Sequence, residues 1–382
     1  MIFSAIKLGS FAKVKGGKRL PKGAQLYDEP TEHPYIRVTD MFSDGLNSLQ
    51  IKYIDQQTHD SISRYTISIH DVYISIAGTI GRVGMVPDTF NGANLTENAA
   101  KITDIDSSFN PRFLMYFLRS YLGQGQIAAK TGGTSQPKLA LYRIEEIDCP
   151  KLPRDMQDEI VLAAKNYDDL IENNRRRIQL LEESARLLYQ EWFVYLRFPG
   201  HEQVKIIDGV PEGWTKEPLE NLLVLQRGFD LPISNRIEGN VPIYASTGIN
   251  GFHNVAKVKG PGVVTGRSGS LGTVMYVAKD YWPLNTTLWV KEFKKASPIF
   301  ATYLLRAMKL DGYNGGAAVP TLNRNDVHKV DVLCPESKLM NVFEIQVENI
   351  FKQIEKLKEY NEKLTQARDL LLPKLMSGEL TV

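Results

Sequence analysis

The feature that most constrains this chain is that half of it occurs twice. LGSFAKVKGGKRLP (8–21) aligns with LENLLVLQRGFDLP (219–232), sharing Leu8 with Leu219, Gly17 with Gly228, Leu20 with Leu231 and Pro21 with Pro232. VYISIAGTIGRVGMV (72–86) aligns with VVTGRSGSLGTVMYV (263–277), where Gly78 meets Gly269, Gly81 meets Gly272 and Val83 meets Val274. At the same offset Asn94 falls on Asn285. NPRFLMYFLR (110–119) aligns with SPIFATYLLR (297–306), and TGGTSQPKL (131–139) with NGGAAVPTL (314–322). Each copy then reaches a Cys-Pro pair, Cys149-Pro150 and Cys334-Pro335. The offset falls from 211 to 183 along the way, so the second copy is 28 residues shorter between these landmarks. A chain built this way needs two like domains rather than one shared core, and a length of 382 residues points the same way.

The repeat also filters motifs. TGGTSQPKL holds the ingredients of a phosphate cradle, but the second copy replaces Thr134, Ser135 and Lys138 with Ala317, Ala318 and Thr321. No Walker-type GxxxxGK[ST] occurs, so the shared Gly-Gly and Pro are expected to fix a tight backbone path at a binding surface. Asn110-Pro111-Arg112-Phe113 resembles the Asn-Pro-Pro-aromatic signature of adenine methyltransferases, yet its counterpart is Ser297-Pro298-Ile299-Phe300. Asn or Ser followed by Pro starts a helix, and short helices are expected at 111–122 and 298–309. ISRYTISIHDVYISIAG alternates apolar and polar residues between glycine-rich turns, which predicts strands. Each block is therefore mixed α and β.

Catalytic and metal-binding classes find no footing. There is no GxSxG elbow, no GxGxxG and no histidine or cysteine cluster at metal spacing. Histidines 33, 59, 70, 201, 253 and 328 are scattered without repeat counterparts, and two cysteines cannot make a disulfide framework. The apolar runs fall short of the roughly 20 residues a membrane span needs. The N-terminus lacks a signal-peptide h-region, so a cytoplasmic location is expected.

Each copy ends in an unusually long heptad pattern. The first seam runs through Ile160, Ala164, Tyr167, Ile171, Asn174, Ile178, Leu181, Ala185, Leu188 and Trp192. The second runs through Phe343, Val347, Ile350, Ile354, Leu357, Asn361, Leu364, Arg368, Leu371 and Leu375. Steps of four and three, sustained this long, predict a coiled-coil seam on helices spanning on the order of 50–60 Å. Each seam holds one asparagine, the kind of residue that fixes register at a cost in stability. Antiparallel pairing of the two helices is the simplest arrangement within one chain. The expected fold is α+β, with two mixed α/β domains in tandem repeat, each followed by a long helix. The divisions are 1–152, 153–196, 197–335 and 336–382.

Charge alternates along these divisions. The four segments carry +2, −3, +4 and −1, and the first 27 residues hold six basic side chains and no acid. Basic blocks between acidic helices suit a polyanion bound by some parts and protein bound by others.

Two variable basic domains, each followed by a long helix, resemble the specificity subunits of type I restriction–modification systems. EWFVYLRFPGHEQVKIIDGVPEGW (191–214) is similar to that family's central region, and LLLPKLMSGEL (370–380) to its closing helix. The first copy departs by lacking the lead-in of Pro211, Gly213 and Trp214. The resemblance implies a non-catalytic subunit whose two target recognition domains each read half of a bipartite, asymmetric site in double-stranded DNA. It implies helices that set the spacing and dock two methyltransferase subunits, with restriction–translocase subunits in the full assembly. It places AdoMet, ATP and Mg on those partners, none on this chain, and involves no membrane. The rival readings are a coiled-coil scaffold and a single-chain DNA-modifying enzyme.

Candidate DNA contacts follow. Lys13, Lys15, Lys18 and Arg19 lie in a glycine-punctuated basic stretch suited to phosphates. Arg82 and Arg267 sit beside the Gly-x-x-Gly turns, where a planar guanidinium suits guanine. Thr134, Lys138, Arg227, Ser268 and Arg324 complete the set.

Overall fold

A computed structural model describes residues 3–42, 45–46, 51–133, 136–313 and 321–380. The chain divides into two compact units, Met1–Asn174 with Glu359–Val382, and Arg175–Lys358. The division cuts both long helices, so each unit contains one globular part of the repeat and stretches of both helices.

In the first unit a four-stranded antiparallel sheet has the order Lys13–Gly16, Ala99–Thr103, Val72–Ser75, Val83–Gly84. A second sheet has the order Lys52–Ile54, His33–Ile36, Ala93–Leu95, Thr66–Ile67, with His33–Ile36 and Ala93–Leu95 parallel. The second unit repeats this plan. Its antiparallel sheet runs Leu223–Arg227, Thr287–Phe293, Gly262–Gly266, Val274–Val277. Its other sheet runs Gly248–His253, Val241–Ala245, Trp282–Pro283, again with one parallel pair. A short ladder closes each domain through the Cys-Pro strand: Ala5–Lys7 with Asp148–Pro150, and Thr215–Pro218 with Asp331–Cys334.

The Asn-Pro and Ser-Pro dipeptides start helices, as expected. Asn110 accepts from the backbone N–H groups of Arg112 and Phe113, and Ser297 from that of Phe300. The helices are shorter than their apolar runs, Pro111–Arg119 and Pro298–Ala307. In the first, Ser120 ends one helix and caps the next, Tyr121–Lys130, which the continuous apolar pattern hides. Both helices are buried on nearly all sides, residues 113–118 in the first unit and 299–305 in the second, with Phe113, Leu114 and Phe117, and Phe300, Leu304 and Leu305, in the two cores.

The long helices span Arg154–Tyr189 and Ser337–Ser377. In the first unit they run antiparallel. Ile160 and Ala164 share a core with Leu372, Leu375 and Met376, while Asn174 Nδ2 donates to Asn361 Oδ1 at 2.9 Å. Asn361 Nδ2 in turn donates to the Ile171 carbonyl at 3.4 Å. The two seam asparagines thus bond to each other, which is how an amide selects one alignment. Ile171 is buried here, and Tyr167, Leu364 and Leu371 are half-buried. Arg368 occupies its seam position as a buried cation, paired with Asp168, which also accepts from the Tyr116 hydroxyl. In the second unit Val347, Ile354 and Leu357 are buried, and Ile178, Leu181, Leu188 and Ile350 are half-buried. Tyr189 and Trp192 pack on Phe343 at 5.8 and 6.0 Å between ring centroids.

Candidate nucleic-acid interface

In each unit the repeated glycines form the turn between the last two strands of the antiparallel sheet, the second of which is its edge. Gly78 and Gly81 have φ of 74° and 87°, Gly269 and Gly272 of 85° and 84°, a left-handed conformation that side chains disfavour. The turn is closed at its base by Ser75 N–H donating to Arg82 O (2.9 Å), and in the second unit by Gly266 N–H donating to Thr273 O (3.3 Å). The paired-glycine loop docks against this turn. Leu139 N–H donates to Ile76 O at 2.9 Å, and Leu322 N–H to Arg267 O at 2.8 Å. Ala77 pairs with Lys138, and Ser268 with Thr321, in the same antiparallel bridge. On the other side the Asn98 carbonyl accepts from Ile76 and Ala77, and the Thr286 carbonyl from Arg267 and Ser268. All these bonds are backbone to backbone. The C-terminal end of this loop, Lys138-Leu139 in one unit and Thr321-Leu322 in the other, is therefore an attachment seam beside an exposed turn, with the same backbone bonds in both units.

Gly17 and Gly228 hold a second common contact. A Cβ on Gly17 would lie 2.1 Å from the Thr96 carbonyl oxygen, and one on Gly228 2.2 Å from that of Leu284. This close approach seats the next residues against the opposite segment: Arg19 Nε donates to Glu97 Oε1 at 2.7 Å, and Asn285 Nδ2 donates to Asp230 Oδ1. Leu284 thus stands where Thr96 stands, and Asn285 where Glu97 stands. The expected match of Asn94 to Asn285 is corrected. Asn94 lies buried within the strand Ala93–Leu95, bonded to His59 and to the Ile62 carbonyl, because the second copy shortens again just before this point.

The candidate contacts fall into distinct settings. Lys13 and Lys15 project from an exposed strand face and share Asp104, at 3.2 and 3.3 Å. Hydrogen bonds and charge from both lysines hold the Asp104 carboxyl below its ordinary range. Lys15 also lines a cavity of about 290 Å³ with Gly17, Arg64 and Lys101. Lys18 lies over the Tyr65 ring at 5.6 Å. Arg82 is half-buried and has no hydrogen-bond or ion-pair partner for its guanidinium among the described residues. Arg267 Nη1 donates to the Asn285 carbonyl at 3.4 Å, and Ser268 stands next to it on the turn. Lys138 is exposed at the docked end of its loop, Arg227 at the end of Leu223–Arg227, and Arg324 at the start of the helix Arg324–His328. Thr134 lies outside the described residues.

Sequence reasoning did not single out Glu97 or Asp230, and it matched Asn285 to Asn94 rather than to Glu97. Nor did it find Ser246, whose Cβ lies 3.4 Å from where a Gly266 Cβ would stand and so brings the Val241–Ala245 strand end to the turn. Glu97 and Asn285 could have been found only by allowing a further gap in the repeat. Among the described residues no group of three or more histidine, cysteine or acidic side chains could hold a metal. Cys149 and Cys334 are buried, and burial pushes both thiols up. No described helix is long and apolar enough to cross a membrane.

The family model for the type I restriction modification DNA specificity domain matches residues 3–183. The chain is 23% identical over 299 residues to the type I restriction enzyme MjaIX specificity subunit of Methanocaldococcus jannaschii, covering 71% of this chain and 69% of that one. It is 24% identical over 249 residues to the MjaVIII specificity subunit of the same organism, covering 63% and 53%. The solved type I restriction–modification S subunit from M. genitalium superposes with a TM-score of 0.52 at 17% identity, over 98% of this chain and 96% of that one, a likeness of fold.

Proposed function

We propose that the chain is a specificity subunit of a type I restriction–modification enzyme, its DNA-reading, non-catalytic part, a reading supported by the family match over residues 3–183 and by the similarity to the MjaIX subunit. Each domain reads one half of a bipartite, asymmetric site in double-stranded DNA. The matched family model ends at residue 183, and the second half joins the reading through the repeat. The observation that carries this is the pair of glycine turns. The same backbone bonds hold Ile76-Ala77 and Arg267-Ser268, while the side chains on the two turns differ. Two sites of one shape and different chemistry suit a target whose halves differ in sequence. Arg82, Arg267 and Ser268 are assigned to base edges, and Lys13, Lys15 and Lys18 to phosphates. Thr134, Lys138, Arg227 and Arg324 fall to the same DNA-facing set.

The long helices are assigned the spacing of the half-sites and the docking of two methyltransferase subunits. Restriction–translocase subunits join the complete enzyme, and AdoMet, ATP and Mg belong to those partners. The cytoplasm, where its DNA lies, is the compartment.

The test is a domain exchange in the assembled complex. Replacing residues 1–152 by the matching domain of a relative should change one half of the methylated sequence and leave the other alone. A change in both halves would refute modular reading. The purified chain alone should transfer no methyl group from AdoMet, and a turnover that persists through rigorous purification would refute the non-catalytic assignment.

A further inference from the structure

The equivalence of Glu97 with Asn285 exposes a pair of positions whose chemistry is exchanged between the domains. In the first, an exposed arginine is held by a carboxylate: Arg19 Nε donates to Glu97 Oε1 at 2.7 Å, and Thr96 Oγ1 donates to Glu97 Oε2 at 2.9 Å. The Arg19 side chain is 80% exposed, so this ion pair adds little to stability and serves mainly to orient the fork. With Nε occupied, both terminal amino groups of the guanidinium remain to donate. Arg19 and Glu97 line an open cavity of about 360 Å³ with Thr39 and Asn98, the residue whose carbonyl anchors the glycine turn. In the second domain the place of Arg19 is taken by exposed Asp230 and that of Glu97 by Asn285, with the amide donating to the carboxylate. The remaining lone pairs of Asp230 accept, and Arg267 lies against the Asn285 carbonyl at 3.4 Å.

We propose that positions 19 and 97 in the first domain, and 230 and 285 in the second, form one further specificity-determining pair in each domain. Arg19, oriented by Glu97, reads a guanine through its O6 and N7 acceptors. Asp230, oriented by Asn285, reads a base that presents an exocyclic amino group in the major groove, cytosine or adenine. The chemistry is that of major-groove readout: a bidentate guanidinium for two acceptors, a carboxylate for an amino donor. Arg19 is thereby moved from the phosphate-binding set to the base-reading set. The proposal rests on the DNA-specificity reading above and deepens it.

The experiment uses the complex of the full chain with its methyltransferase partner and a pool of duplexes randomised across the site. Wild type, Arg19→Ala, Glu97→Gln and Asp230→Ala are each selected on the pool and the bound fraction is sequenced. Arg19→Ala should lose the preference for one guanine in one half-site, binding the cognate duplex about tenfold or more weakly. Asp230→Ala should do the same to one cytosine or adenine in the other half-site. Glu97→Gln, which keeps the guanidinium but loosens it, should relax the Arg19 base pair partially and no other. Uniform weakening on all duplexes, or unchanged preferences, would overturn the pair as readers while leaving the protein a DNA reader. A wild-type complex that enriched no sequence would instead overturn the functional reading itself, and the two failures are told apart by the wild-type lane.

Discussion

The same ladder position is filled in opposite ways in the two domains. Lys101 stands across from Tyr73 in the first, and Trp289 across from Val264 in the second. Lys101 pairs with Asp71 at 3.2 Å, the two side chains only 17% and 6% exposed. In the second domain Gly262 takes the place of Asp71, and a Cβ there would lie 2.3 Å from the Tyr281 hydroxyl, whose ring fills the space. Trp289 packs on Phe229 at 6.0 Å, and Lys257 lies over Phe229 at 5.3 Å. One domain buries an ion pair where the other buries rings. The difference teaches that the repeat preserves a backbone frame and leaves the filling of its interior free.

The strongest way to break this comparison is to remove one partner of the ion pair. Asp71→Ala leaves the Lys101 ammonium buried without a counter-charge and should cost about 3–5 kcal/mol in denaturant unfolding of the first domain. Replacing both Lys101 and Asp71 by apolar residues of similar volume should restore most of that loss. If Asp71→Ala unfolded at the wild-type midpoint, the pair would be structurally idle. Next in size are the turn arginines. Arg82→Ala and Arg267→Ala should each cost about 1–3 kcal/mol on the cognate duplex and relax one base preference, each in its own half-site. Lys13→Ala should by contrast weaken all duplexes alike and lower the salt slope by about one. Binding across single-base variants and a salt titration separate the two behaviours.

A subtler contrast lies in the helices. Replacing Asn174 and Asn361 together by Leu should raise the unfolding midpoint yet permit wrong registers and self-association, seen by light scattering. An unchanged monomer with unchanged half-site spacing would remove register selection from these amides. The smallest effect separates the domains by pH. His328 Nε2 accepts from the Leu225 backbone N–H at 2.9 Å, so the ring is neutral in the folded domain. Burial, opposed by Glu220 and aided by Arg324 and Lys294, holds its pKa below the ordinary 6.5. A depressed folded value means that the unfolded chain binds the proton first. The contribution is thus complete above pH 6.5 and is lost as pH falls below it. Melting of the second domain should weaken on that descent, and His328→Gln should flatten the dependence.

Much of this architecture was legible in the sequence, for stated reasons. The glycine pairs could be matched because each is required by a left-handed φ or a carbonyl at contact distance, and such demands admit one residue type. The N-caps and the heptads were readable because they are local. What escaped was what depends on distance along the chain. Arg19 meets Glu97 across 78 residues, and the gap that aligns Glu97 with Asn285 falls where neither copy has a landmark. Arg368 followed the heptad faithfully, but only the fold shows Asp168 and Tyr116 waiting for it. The helix boundary at Ser120 was hidden because apolar residues continue past a cap that works by its hydroxyl.

The bonds from Leu139 to Ile76 and from Leu322 to Arg267 have a consequence for how such a protein can change. The mooring is made by main-chain amides and by one buried leucine in each domain, and it is the same whether the turn carries Ile76 or Arg267. On the proposed reading, residues on the exposed turn can be exchanged one at a time, and each exchange would be felt by a bound duplex before it is felt by the fold. Mutation would then explore new target sequences without first crossing a valley of misfolded intermediates, and the two domains would do so independently.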